Sequence, residues 1–303
     1  MTELFQLFAN NLLPILLISG SGFLIGKFFH IDPRSLGRII FYVLYPVMVL
    51  DILTRSQLTV FDILRTSGFA IGTILISGFL TLLGGYFLKL DRPVLMAVLL
   101  TSVFANSGNY GLPLISFAFG QDALAYGSIY YITFALLVNT LGILIASMGR
   151  LKFKDAVLGM LKLPTIYAII IALIIIRTGW IMPDPIERTI NLLSNGAIPC
   201  MLILLGLELE RAQWHKNTKA ITFSVVMRLI IGPIIGFGVS ILFGLKGPSR
   251  QAGITDSALP TAVITTILAT EYDLEPSLVT AIVFITTILS PLTLTPVLFF
   301  LGK

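Results

Sequence analysis

The feature that most constrains this chain is its succession of apolar runs: 7–28, 38–54, 66–88, 93–118, 123–148, 163–181, 190–209, 219–244, 250–270 and 276–300. About 20 mainly apolar residues cross the hydrocarbon core of a bilayer as a helix. Ten such runs use nearly all of the 303 residues, which leaves no segment for a separate soluble domain. Charged residues make up 12% of the chain and apolar ones 56%, against about 25% charged in a soluble domain. There is too little polar surface to face water. In lipid, backbone N–H and C=O groups must be satisfied within the segment, which makes each run a helix. The expected fold class is an all-α polytopic membrane protein with ten transmembrane helices.

Short links carry turn and charge signals, as in His30-Ile31-Asp32-Pro33-Arg34, Lys89-Leu90-Asp91-Arg92-Pro93 and Trp180-Ile181-Met182-Pro183-Asp184-Pro185. The net charge of +5 is spread over these links with no dense basic patch, so it sets topology rather than binding nucleic acid. Twelve Lys and Arg fall in links after the odd-numbered runs and seven on the opposite side. By the positive-inside rule both termini lie outside, in a plasma (bacterial inner) membrane. The longest link, 150–162, sits at the midpoint. It divides a first five-helix repeat, 1–149, from a second, 163–303, and its part Ala156 to Leu161 reads as a short interfacial helix. Met1 to Asn11 lacks the basic start of a secretory signal. Cys200 is the single cysteine; it excludes an internal disulfide and reads as a packing residue.

Five crossings per half make the second half enter the membrane from the opposite face, so a structural repeat is necessarily inverted. Proline spacing supports that repeat. Pro14 and Pro164 open the first and sixth runs 150 residues apart, each after a leucine. Pro46 and Pro199 break the second and seventh, 153 apart, and Pro113 and Pro260 break the fourth and ninth, 147 apart. The fourth run reads Ala105-Asn106-Ser107-Gly108-Asn109-Tyr110-Gly111-Leu112-Pro113 and the ninth Gly253-Ile254-Thr255-Asp256-Ser257-Ala258-Leu259-Pro260-Thr261. Glycines, polar side chains and a proline at mid-run are poor material for a continuous helix. Interrupted helices at matching positions of inverted halves mark a midplane binding site. Two proline-kinked helices whose small polar residues only pack are the other reading.

These residues resemble the auxin efflux carrier family, which includes plant auxin exporters and bacterial malonate and malate carriers. The resemblance runs through Met227-Arg228-Leu229-Ile230-Ile231-Gly232-Pro233, Gly244-Leu245-Lys246-Gly247, Ala258-Leu259-Pro260, Glu271-Tyr272 and Ile282-Val283-Phe284. Their order and spacing are similar to the carboxyl-terminal third of the plant carriers. Asn106, seven residues before Pro113, matches the asparagine of the family's interrupted fourth span. The resemblance implies two inverted five-helix repeats with crossing interrupted helices, as in bile-acid symporters and sodium/proton antiporters. It also implies a transport domain that moves against a scaffold in an elevator-like way. At Asp256 the plant carriers more often have an amide.

Asn106 and Asn109 share a face if their stretch stays near-helical. Their amides, with freed N–H groups at a half-helix N-terminus, would hold a carboxylate; mutual capping of broken backbone is the alternative. Ser107, Gly111 and Pro113 of the fourth run and Ser257, Pro260 and Thr261 of the ninth complete the expected substrate site, joined by Asn195, four residues before Pro199. Asp256 is the one acid near the middle of a run, so it should be paired, wet or protonated. That makes it the candidate for ion coupling. Arg228 lies roughly nine residues into the eighth run, ~13 Å deep at ~1.5 Å per residue. It would offset a bound anion, pair with Asp256, or snorkel outward. His30 and His215 fall in links, which argues against a midmembrane histidine relay.

The sequence has no His-Glu-x-x-His pair, no Walker-type loop and no dinucleotide glycine fingerprint after a strand. Neither an enzyme nor an ATP-driven pump is expected, and no cofactor or metal. A channel or receptor would spread polarity along a pore, whereas here it gathers at one matched pair of breaks. The expected function is a secondary transporter that moves small organic anions (mono- or dicarboxylates, auxin-like acids) by alternating access, with a proton or sodium as coupling ion. A sodium-coupled bile-acid-type symporter or a sodium/proton exchanger of the same fold is the alternative. The expected partners are the bilayer, the anion and the coupling ion, with no nucleic acid; a homodimer is left open.

Overall fold

The computed structural model describes residues 2–29, 31–56, 58–148, 163–212 and 215–302. The link at 150–162, where the sequence leads one to expect an interfacial helix at 156–161, lies outside the described residues, as does His30. The described residues form helices α1 (Glu3–Phe29), α2 (Pro33–Arg55), α3 (Val60–Phe87), α4 (Arg92–Val103), α5 (Ser107–Ala146), α6 (Pro164–Thr178), α7 (Asp184–Glu210) and α8 (Thr218–Leu242). They are followed by α9 (Gly247–Ala258), α10 (Ile264–Glu271) and α11 (Pro276–Leu301). Seven of these (α1, α2, α3, α5, α7, α8 and α11) are long and apolar enough to cross a membrane, and α4 and α6 are shorter apolar helices. The chain is therefore a multi-pass membrane protein whose described residues form helices and no named strand.

Local chemistry moves two of the expected boundaries. Helix α3 starts at Val60 rather than 66 because Thr59 and Asp62 form a capping box: Thr59 Oγ1 accepts the Asp62 N–H and Asp62 Oδ2 accepts the Thr59 N–H. Helix α7 starts at Asp184 rather than 190, with Pro185 at its opening and Asp184 and Glu187 in the first turn, where acids complement the dipole. Helix α5 holds 40 residues, about 60 Å at ~1.5 Å per residue and twice a bilayer core. It is divided at Gly120, whose φ of 78° and ψ of −166° only glycine adopts readily. The two arms separate where the runs 93–118 and 123–148 do.

The prolines act differently from the expectation. Pro46 and Pro199 do not break the second and seventh runs, because α2 and α7 continue through them. A widened π-helical turn, 40–44, leads into Pro46 instead. Similar turns at 8–12, 107–111 and 227–231 lead into Pro14, Pro113 and Pro233. Proline lacks an N–H and its ring clashes with the carbonyl four residues back; an i→i+5 turn just upstream removes that conflict without ending the helix.

The helices sort into two bodies. α1, α2, α6 and α7 pack chiefly on one another, and α3, α4, α5, α8, α9, α10 and α11 do likewise. Within the first body α1 and α7 meet backbone to backbone. A Cβ at Gly22 would overlap the Ile203 carbonyl, and one at Gly206 the backbone of Ser19 and Phe23. Small residues permit such close contact in lipid, where helices associate by packing rather than by burial from water. Ion pairs close both ends: Arg55 of α2 pairs with Asp51 (2.6 Å) and with Glu187 of α7 (3.1 Å), and Arg211 pairs with Asp32 (3.4 Å). These pairs are exposed and each is worth ~0–1 kcal/mol, so the glycine contact decides the packing.

A Gly206→Val substitution should therefore destabilise the protein by more than ~2 kcal/mol, as overpacking against rigid backbone does. Gly20→Ala, where an added Cβ meets nothing within 4 Å, should be neutral. Melting of the detergent-solubilised variants measures both, and equal melting temperatures would contradict this packing.

Candidate functional site

Between α4 and α5, and again between α9 and α10, the chain leaves the helical path. The two extended stretches cross as an antiparallel pair at Ala105 and Thr261. Asn106 N–H donates to the Pro260 carbonyl (2.8 Å) and Ala262 N–H to the Phe104 carbonyl (2.9 Å). Each break thereby satisfies the other. Pro260 has no N–H to give, but its carbonyl faces the partner strand. The Thr261 hydroxyl donates to the Thr101 carbonyl (2.9 Å), and its N–H goes to Thr286 Oγ1 (3.2 Å).

Four helix ends converge on this crossing. α4 and α9 arrive with carbonyl ends, and Arg228 of α8 serves both. Its Nη1 donates to the Ser102 carbonyl of α4 (3.1 Å), and its Nη2 to the carbonyls of Ser257 (2.6 Å) and Asp256 (3.3 Å) in α9. Its Nε donates to the Leu259 carbonyl (2.7 Å). Arg228 is buried, so it neither snorkels outward nor meets the Asp256 carboxylate in an ion pair among the described residues. The expected charge pairing is replaced by capping of two negative dipole ends. Close approach makes this possible: a Cβ at Gly232 would lie 2.6 Å from the Ser257 carbonyl oxygen, and one at Gly236 2.6 Å from Ser257 Cβ.

α5 and α10 leave the crossing with their N-terminal, positive ends. Their N-terminal ends, Gly108 and Asn109 in α5 and Ile264 of α10 with its capping residue Val263, line a cavity of about 790 Å³. Tyr42, Tyr45, Tyr131, Phe134 and Asn139 also line it, and Arg34, Arg38, Arg211, Glu208 and Glu271 contribute its charged groups. A second cavity, about 850 Å³, is lined by Asp51, Arg55, Gln121, Asp122, Asn191, Asn195 and Pro199. The first cavity takes the early part of α2 and the late part of α7, and the second the late part of α2 and the early part of α7. The two therefore approach the middle of the bundle from opposite ends. Tyr45, Met48, Leu112, Ile115 and Met201 belong to one buried cluster in the zone between them.

Asp256 is fully buried, and neither carboxylate oxygen has a hydrogen-bond partner of normal geometry. Its Oδ1 would lie 3.0 Å from a Cβ at Gly111, so the carboxylate rests against the first turn of α5 and glycine is required there. Ser107 Oγ, Asn106 Nδ2, Thr255 Oγ1 and the Tyr45 hydroxyl are buried and unpartnered in the same region. The charges of Asp256 and Arg228 act on each other through space without an ion pair between them.

The structure thus brings Asn106, Ser107, Gly111, Asp256, Ser257, Pro260, Thr261 and Arg228 together at the crossing. Asn106 is not helical (φ −78°, ψ 59°), so it and Asn109 do not share a helix face; Asn106 points into the buried crossing and Asn109 lines the cavity. The Ser257 hydroxyl donates to Gly253 within its own helix (2.9 Å), and Thr261 staples the crossing, so both hydroxyls already have protein partners. Pro113 is buried in the opening of α5. Asn195 stands apart, on the second cavity. Sequence reasoning missed Tyr45, Tyr130 and Tyr131; the adjacent tyrosines in an apolar run and a tyrosine directly before Pro46 were the available signals.

Comparison with known proteins finds relatives among membrane transporters. Residues 148–298 match the family described as membrane transport protein. An uncharacterized transporter of Methanothermobacter thermautotrophicus is 26% identical over 261 residues, covering 86% of each chain. One from Methanocaldococcus jannaschii is 26% identical over 271 residues, 85% of this chain and 86% of its own. Auxin efflux carrier component 8 of Arabidopsis thaliana is 29% identical over 133 residues, 43% of this chain but only 36% of the plant protein. With the family match, the near full-length archaeal relatives and the plant carriers in agreement, the chain belongs to the auxin efflux carrier family of membrane transport proteins.

Proposed function

We propose that this protein is a secondary transporter of small organic anions, working by alternating access. The observation that carries the reading is the polarity of the crossing. Two positive half-helix ends face one cavity, while both negative ends are capped on the far side by Arg228. A carboxylate at Gly108, Asn109, Val263 and Ile264 would meet unpaired first-turn N–H groups and the favourable end of two dipoles. The amide of Asn109 on the cavity and the orphaned amide of Asn106 behind it would add donors. Three arginines against two glutamates around this cavity favour an anion further.

On this reading the two cavities are the vestibules of the two faces, and the body of α1, α2, α6 and α7 is the scaffold against which the rest moves. The ten runs become two inverted five-helix repeats, 1–149 and 163–303, joined by 150–162. The paired breaks and the division of α5 at Gly120 support this count. The twelve-to-seven distribution of Lys and Arg puts both termini outside a plasma (bacterial inner) membrane, with the 790 Å³ cavity facing inward. Asp256 takes up and releases the coupling proton.

Purified protein screened by thermal shift against small mono- and dicarboxylates, across pH and with or without sodium, tests the reading. Stabilisation that needs sodium would point instead to a sodium-coupled carrier of this fold. Asn106→Ala and Asn109→Ala should each weaken carboxylate binding about tenfold or more, a loss of ~1.4 kcal/mol. Both should stay folded, since the crossing uses the Asn106 backbone and not its amide; undiminished binding would remove the site from the crossing. In proteoliposomes, Asp256→Asn should abolish the dependence of uptake on a proton gradient, and retained dependence would exclude it as the coupling group.

Arg228→Lys separates capping from substrate contact. Lysine keeps the charge but concentrates its donors on one nitrogen, so it would leave carbonyls of α4 or α9 unsatisfied at ~1–3 kcal/mol each. Melting should fall by roughly 5 °C or more. An unchanged melting temperature with lost binding would instead make Arg228 a direct ligand.

A further inference from the structure

Four tyrosines stand around the crossing, and their hydroxyls are used differently. That of Tyr110 accepts from Ser290 Oγ (3.2 Å), that of Tyr130 is bonded to Thr73 Oγ1 (3.3 Å), and that of Tyr45 is sealed in without a partner. The fourth, Tyr131 in the second arm of α5, is half-buried and lines the cavity of about 790 Å³. Its hydroxyl makes no hydrogen bond among the described residues, yet it is not one of the sealed polar atoms. Two contacts fix the ring. Its edge lies on Gly108, where a Cβ would be 2.7 Å from Tyr131 Cε2 and 3.5 Å from its Cζ. From the other body Tyr45 stacks on it, with ring centres 4.2 Å apart. The hydroxyl is one bond beyond Cζ, so it stands at the N-terminal end of α5, on the cavity wall that Gly108 and Asn109 share.

We infer that Tyr131 is a substrate-contacting residue: its hydroxyl donates a hydrogen bond to one oxygen of a carboxylate held at Gly108 and Asn109. This rests on the proposed anion site at that helix end. A phenol is a neutral donor, and a hydrogen bond to an ionised oxygen is about twice as strong as one between neutral groups. No protein hydrogen bond is broken when the anion arrives, because this hydroxyl has none among the described residues. Its direction is also set in advance: the stack on Tyr45 and the contact with Gly108 hold the ring, so little side-chain freedom is lost on binding. The ring is at the same time a wall of the site. Phe134 continues that wall along the cavity, its ring centre 6.0 Å from that of Tyr131. Position 131 thus supplies a donor and a wall, and substitution separates the two.

Calorimetric binding of butyrate, succinate and phenylacetate to the purified full chain tests this. Tyr131→Phe keeps the wall and removes only an oxygen that the fold does not use. Its melting temperature should hold, while the tightest-bound of the three probes loses at least tenfold in affinity. Tyr131→Leu removes the stack as well, so it should melt lower and bind no better than Tyr131→Phe. In the unmodified protein the same probe should shift the tyrosine C–O infrared band, and the shift should be missing from Tyr131→Phe; a purely packing role would not produce it. A loss below tenfold in Tyr131→Phe, with Asn109→Ala still defective, overturns the contact and leaves the anion site standing. Binding of none of the three probes to the unmodified protein, or full binding by Asn109→Ala, overturns the anion site and the contact with it.

Discussion

One guanidinium ends two helices. Arg228 gives hydrogen bonds to carbonyls of both α4 and α9 at the depth where each helix stops, and it is sealed from solvent while doing so. An unsatisfied carbonyl in lipid costs several kcal/mol, and a hydrogen bond to a charged donor is worth ~1.5–3 kcal/mol. Without such a cap neither break would be stable at the middle of a membrane protein. The chain reaches this arrangement through glycine. Gly232 and Gly236 let α8 lie directly on Ser257, and the widened turn at 227–231 keeps α8 helical ahead of Pro233. The antiparallel pair at Ala105 and Thr261 satisfies much of the remaining backbone, so the crossing is rigid rather than loose. What it leaves exposed is one-sided: the positive ends of α5 and α10, turned toward a single cavity.

Much of this was legible in the sequence because lipid leaves the chain few options. Apolar runs must be helices, and glycine, asparagine and proline at mid-run must be a break, so the two interrupted runs were located to within a few residues. How the breaks were satisfied was not legible. Backbone pairing between residues 105 and 261 is a contact across 156 positions, and no local pattern announces it. Arg228 illustrates the same gap. Its depth could be read off, but three destinations for its charge were open, and the one found, backbone carbonyls of two other helices, was not among them. Pro46 and Pro199 show that a proline in an apolar run is not in itself a break: a π-helical turn lets α2 run on through Pro46, and α7 continues through Pro199. The tyrosines escaped notice because an aromatic residue in an apolar run is ordinarily packing; only the orphaned hydroxyl of Tyr45 and its position on the cavity set it apart.

The first turn of α5 carries a further consequence. Its cavity side, Gly108 and Asn109, is where an anion would bind, and its buried side, Gly111, is where the Asp256 carboxylate rests. Two negative groups would then draw on one half-helix dipole from opposite faces. On the proposed reading, an ionised Asp256 weakens the attraction of that helix end for a second anion, and a protonated Asp256 restores it. Binding free energies are reciprocal, so the anion must in turn favour the protonated carboxyl. No moving part is needed for this coupling, only a helix end shared across the thickness of one turn. A carrier in which an amide stood at position 256 would lose that link while keeping the anion site. The same crossing could thus serve coupled and uncoupled transport according to one side chain.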